Sequence, residues 1–74
     1  MNSKSYIKKV SANIKLLRKE KGLTQVELAA ACNFEKQNMQ RIESGKTAPT
    51  LKTLLKIADA LDVDIQDIVI SNRD

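Results

Sequence analysis

Apolar residues near the start of the chain recur at helical rather than strand spacing. Ile7, Val10, Ile14 and Leu17 follow one another at intervals of three and four, which predicts a helix from about Ser5 to Lys21. Gly22 supplies the left-handed residue that commonly closes a helix, after Lys19 and Lys21 at the negative end of the dipole. The stretch TQVE then offers Thr24 as an N-cap with Glu27 three residues on, the signature of a capping box. It opens a short helix from Gln25 to about Ala31, whose small residues let a neighbouring helix approach closely. Asn33 tolerates a left-handed conformation and can turn the chain, so that Phe34 can enter the core. Residues 35–44 form a third helix, ended by Gly45, and KTAPT is a loop that leads through Pro49 to an N-cap, Thr50. Leu51, Leu54, Leu55, Ala58 and Leu61 place a fourth helix over 51–61. Asp64 caps a last short one with Ile65, Ile68 and Val69 on its apolar side. Strict alternation occurs only in LDVDI, too short to compete with the helical periodicity around it. The pattern predicts an all-α domain of five helices with short connections.

The third helix divides into two faces at about 100° per residue. Met39 and Ile42 define the buried side, with Asn38 and Glu43 on its flanks. Lys36, Gln37, Gln40, Arg41 and Ser44 share the opposite side, which carries no aliphatic residue. Long polar side chains of this kind suit the major groove: Gln pairs both ways with adenine, Arg or Lys with guanine, and Ser with either. Most exposed helix faces are polar without binding anything. The preceding context decides the matter: a short capped helix, a tight turn and then a polar-faced helix form a helix-turn-helix unit.

Composition narrows the function further. At 74 residues the chain is one domain, close to the lower size at which a core holds without staples. The charge is lopsided, since residues 1–46 hold ten Lys or Arg against four Glu, and residues 47–74 three against five Asp. That asymmetry suits a polyanion on one side of the molecule. Tyr6 and Phe34 are the only aromatic residues, which argues against a single-strand binder that stacks bases. One cysteine, Cys32, and no histidine exclude a disulfide framework and leave no zinc site, so Cys32 is expected to be a small core hydrophobe. No metal or cofactor is expected, and no enzyme: Ser–His and Cys–His pairs and a phosphate-cradling glycine loop are absent. Asp59, Asp62, Asp64 and Asp67 lack calcium-loop spacing. The longest apolar run, LAAAC, is far short of the roughly 20 residues of a membrane span. No secretory signal is visible, so a cytoplasmic protein is expected.

Three stretches in order, LRKEKGLTQVELA, RIESGKTAPTL and LLKIADALDV, resemble the Cro/lambda-repressor type helix-turn-helix family, also called the xenobiotic-response-element family. The resemblance runs from about Val10 to Val69. It implies a five-helix domain of lambda-repressor type, usually a DNA-binding homodimer on a palindromic operator. It divides the chain into residues 1–9 (an extension or the start of helix one), a domain at 10–70 and a tail at 71–74.

Position by position, the resemblance implies roles. Gln37 and Arg41 match positions that commonly read bases, and Lys36 matches a third that takes either a base or a phosphate; Gln40, on the same face of the wheel, is also expected to read bases. Gln25 is expected to contact a phosphate and brace the recognition helix. Lys46 and Thr47 are expected to clamp the DNA backbone with their side chains and N–H groups, and Asn38 and Ser44 also fall among the phosphate-binding candidates. Arg18 and Glu43 are expected to form a bridge joining helix one to the recognition helix, with Arg18 also within reach of a phosphate. Three departures stand out: Asn33 and Asp62 replace usual glycines, and Glu35 replaces a usual Ser or Thr N-cap. Glu35 either accepts a hydrogen bond from cytosine or points away.

The expected function is a double-stranded-DNA-binding repressor. Leu61, Ile65, Ile68 and Ile70 are assigned to a dimer seam, since helix five holds more apolar surface than a chain end needs. The alternative is an antitoxin-like or coregulator module whose main partner is another protein.

Overall fold

The structure, a computed structural model, describes residues 3–70. Five helices follow one another: α1 (Ser3–Glu20), α2 (Gln25–Ala31), α3 (Lys36–Ser44), α4 (Leu51–Leu61) and α5 (Ile65–Val69). Helix α1 begins two residues earlier than its periodicity predicts, so residues 3–9 are its first turns. The tail expected at 71–74 lies outside the described residues.

The punctuation follows local chemistry. Thr24 accepts the Glu27 N–H while the Glu27 carboxylate accepts the Thr24 N–H, a complete capping box. Asp64 and Asp67 form a second one at the start of α5, and Thr50 caps α4 by accepting from the Thr53 N–H. Gly22 and Gly45 adopt left-handed conformations at the ends of α1 and α3, with φ of 72° and 77°. Asn33 and Asp62 do the same without being glycine, at φ 58° and 56°. The short polar side chains of Asn and Asp make that conformation tolerable.

Ile14, Leu28, Met39, Ile57, Leu61 and Ile68 form the sealed centre of the core, drawn from all five helices. Phe34 packs half-buried against it, with the Lys56 ammonium 5.7 Å from its ring centroid. Cys32 is buried, its thiol directed at the Lys56 carbonyl 3.8 Å away, and burial pushes its pKa up. Helix α4 turns Leu54, Ile57, Ala58 and Leu61 inward, and not all of its leucines. Ile57 is fully buried, whereas Leu51 and Leu55 are 66% and 50% exposed.

Two residues assigned to a dimer seam require correction. Leu61 is 1% and Ile68 0% exposed, so both are interior residues of the single chain and have no surface to give. Ile65 is half-buried and packed on the core, and only Ile70 is well exposed, at 62%. Helix five is too short to form an independent apolar ridge, so its inward side is consumed in closing the bundle.

Candidate nucleic-acid interface

Helix α3 is held from beneath by polar ties as well as by Met39 and Ile42. The Arg18 guanidinium donates from Nε to Glu43 Oε2 at 2.7 Å and from Nη2 to Oε1 at 3.0 Å. Its Nη1 donates to the Leu23 carbonyl at 2.7 Å, on the turn that leads into α2. Gln25 Nε2 donates to Glu43 Oε1 at 3.0 Å. A single carboxylate thus joins α1, α2 and α3. The pair is buried on both sides, at 9% and 2% side-chain exposure, and every buried polar side-chain atom among the described residues has a partner. Such a network fixes a geometry rather than merely adding attraction.

A second tie went unread in the sequence. Ser11 is buried and donates to the Ile42 carbonyl at 2.7 Å, near the C-terminal end of α3. Asn13, also buried, donates to the Ile68 carbonyl at 2.7 Å and holds α5. The spacing offered a clue: Ser11 continues the line of Ile7, Ile14 and Arg18 at intervals of four, three and four.

Restrained in this way, α3 presents Lys36, Gln37, Gln40 and Arg41 to solvent. Gln37, Gln40, Arg41, Ser44 and Lys46 line one open polar cleft. Asn33, Phe34, Glu35, Gln37, Asn38 and Arg41 line an adjoining one, which places Asn38 on the same surface as the base-reading candidates. Glu35 occupies the N-cap position of α3 with extended backbone but makes no side-chain cap, so its carboxylate stays exposed beside Arg41 and Gln37.

Several phosphate-binding candidates have donors already engaged. Ser44 Oγ donates to the Arg41 carbonyl at 2.9 Å within the helix. The Lys46 N–H donates to the Arg41 carbonyl at 3.2 Å, so the backbone contact expected of it is taken by the helix terminus and its side chain alone is available. Three of the five N–H groups of Arg18 are bonded internally. Gln25 keeps one amide N–H beyond its bond to Glu43. Thr47 is exposed in the loop after Gly45.

The helix-turn-helix family model HTH_3 matches residues 14–68, which contain the Arg18–Glu43–Gln25 network and all of the exposed candidates on and around α3. The chain belongs to the helix-turn-helix family. It is of the Cro/lambda-repressor type, a family of DNA-binding transcription regulators. An HTH-type transcriptional regulator, y4dJ of Sinorhizobium fredii, is 42% identical over 62 residues, covering 84% of this chain and 80% of that protein. The immunity repressor of Bacillus phage phi105 is 40% identical over 60 residues, covering 81% of this chain, which spans 42% of the repressor's length. Among solved structures, the restriction-modification controller protein C.AhdI of Aeromonas hydrophila superposes with a TM-score of 0.83 at 28% identity, over 86% of this chain and 97% of that one. In this helix-turn-helix domain, α2 and α3 are the two helices of the motif. No helix among the described residues is long and apolar enough to cross a membrane.

Proposed function

We propose that this chain is a sequence-specific repressor of transcription that binds a palindromic operator in double-stranded DNA as a homodimer, with α3 in the major groove. The observation that carries the reading is the solvent-facing row of Lys36, Gln37, Gln40 and Arg41 on a helix locked by the Arg18–Glu43–Gln25 network. Base edges are read by donors and acceptors held in fixed register, and the network supplies that register. Gln37 and Gln40 carry the paired donor and acceptor that adenine requires, and Lys36 and Arg41 the donors that guanine accepts. The Lys46 side chain, Thr47, Asn38 and the free amide N–H of Gln25 flank this row as phosphate contacts. Similarity to the phage repressor favours repression over activation. The cytoplasm is the compartment in which such a regulator meets its operator.

One such domain touches only a few base pairs, so two copies on half-sites one helical turn apart give useful affinity. With Leu61 and Ile68 interior, the seam draws on the exposed Ile70 and the outer edge of Ile65. Selection of bound sites from random duplex DNA tests the reading, and a motif of two inverted half-sites is the expected product. Sedimentation of the free protein and of the selected complex tests the stoichiometry. Recovery of no enriched sequence overturns sequence-specific recognition, and a complex with one chain per site overturns the dimer.

A further inference from the structure

Helix α1 gathers lysines on one side. Taking Ser11 as the origin and about 100° per residue, Lys4, Lys15, Lys8 and Lys19 fall between about 20° and 80° from it. Ile14 and Leu17 fall on the other side, toward the core. All four lysines are exposed. Ser11 and Arg18, buried between these two sides, mark the line along which α1 meets α3.

The same order holds on α3. Moving outward from Ile42, Glu43 comes at about 100°, and Lys36, Gln40 and Ser44 follow between about 120° and 200°. Each helix therefore passes from core, through its bridging residue, to an outer flank. The lysine flank of α1 and the groove-facing side of α3 border one continuous surface, on either side of the Arg18–Glu43 bridge. The packing around Gly45 agrees: a Cβ at that position would lie 3.7 Å from Ser11 Oγ and 3.8 Å from Lys8 Cγ. Lys8 thus runs beside the turn that carries Lys46.

Local helix chemistry accounts for only one of these charges. Lys19 sits in the last turn of α1, where a cation is favoured. Lys4 and Lys8 lie in the first two turns, at the positive end of the dipole, and no carboxylate precedes Glu20 in the chain. A run that works against the helix it occupies points to a partner of opposite charge.

We propose that Lys8 and Lys15, with Lys4 one turn beyond Lys8, form a phosphate-binding ridge that holds the backbone of the same duplex whose groove α3 enters. This inference rests on the duplex-DNA reading of α3. The ridge extends the footprint past the helix-turn-helix motif, and it adds affinity without adding sequence preference.

The test compares the full chain with K8Q/K15Q and with K9Q/K52Q, by fluorescence anisotropy on the selected duplex across a salt series. Lys9 lies about 160° from Ser11 on α1, and Lys52 is on α4, so the second pair removes the same charge elsewhere. Melting curves establish that both variants are folded. The ridge predicts that K8Q/K15Q flattens the slope of log K against log salt by about 1.8, the value for two lost phosphate contacts. It also predicts an unchanged motif and an unchanged slope for K9Q/K52Q. An unaltered slope in K8Q/K15Q, or an equal flattening in K9Q/K52Q, overturns the ridge while the selected motif keeps the α3 reading intact. Failure of the unsubstituted protein to bind any duplex overturns both.

Discussion

Arg18 and Glu43, 25 positions apart, are joined by two parallel hydrogen bonds of 2.7 and 3.0 Å beneath α3. Glu43 also accepts from Gln25, and Arg18 donates to the Leu23 carbonyl, so the pair closes the joint between α1, the turn and α3. Removing one partner leaves a buried charge without a counter-ion, which typically costs about 3–5 kcal/mol. Glu43→Ala is therefore expected to lower stability by that order. Urea denaturation followed by circular dichroism measures it, and a loss below about 1 kcal/mol would show the bridge to behave as a surface pair.

Ser11→Ala removes a single neutral hydrogen bond to the Ile42 carbonyl, which keeps the Gly45 N–H as a donor. The expected loss is about 1 kcal/mol, well below that of Glu43→Ala. Denaturation of the two variants side by side checks the order, and a reversal would place the dominant tie at Ser11.

Asp62 holds a left-handed conformation at the end of α4 that glycine adopts without strain. Asp62→Gly is expected to raise stability slightly. Asp62→Val, with a branched Cβ and no polar group to compensate, is expected to lower it by about 1–2 kcal/mol. Thermal melts of the two variants should move in opposite directions.

The Glu27 carboxylate is held below its ordinary value of 4.5, first by the Thr24 N–H and then by the Thr24 hydroxyl. The native state therefore binds this proton less readily than the unfolded chain. Its contribution is complete above the ordinary value and is lost as pH falls through the lowered one. Glu27→Gln should flatten the acid limb of a plot of melting temperature against pH. An identical acid limb would mean that the capping box does not couple to folding.

Much of the architecture was legible because its signals are local. The capping box at Thr24, the N-caps Thr50 and Asp64 and the left-handed Gly22, Asn33 and Gly45 specify where helices begin, turn and end, and each stands in the structure. What escaped depended on how helices meet. Leu51 and Leu55 share helical spacing with Leu54 and Ala58, and only the direction in which α4 docks decides that Ile57 turns inward and they do not. Ser11 and Asn13 carry no apolar signal of their own, and only packing buries both and gives each a carbonyl to bond. The same closure of the bundle removed Leu61 and Ile68 from the surface. The two faces of α3 were legible from its wheel. The backbone N–H of Lys46 was not, because its use depends on how the helix terminates.

The proposed division of labour between groove-reading and phosphate-binding side chains is tested most directly by selecting operators from random duplexes with Arg41→Ala and Lys46→Ala beside the unsubstituted chain. Arg41→Ala is expected to relax preference at one defined position of each half-site, by about 1–3 kcal/mol. Lys46→Ala is expected to weaken every sequence alike and flatten the salt slope by about 0.9, with the motif unchanged. The same motif from Arg41→Ala as from the unsubstituted chain would contradict a base-reading role for the exposed face of α3.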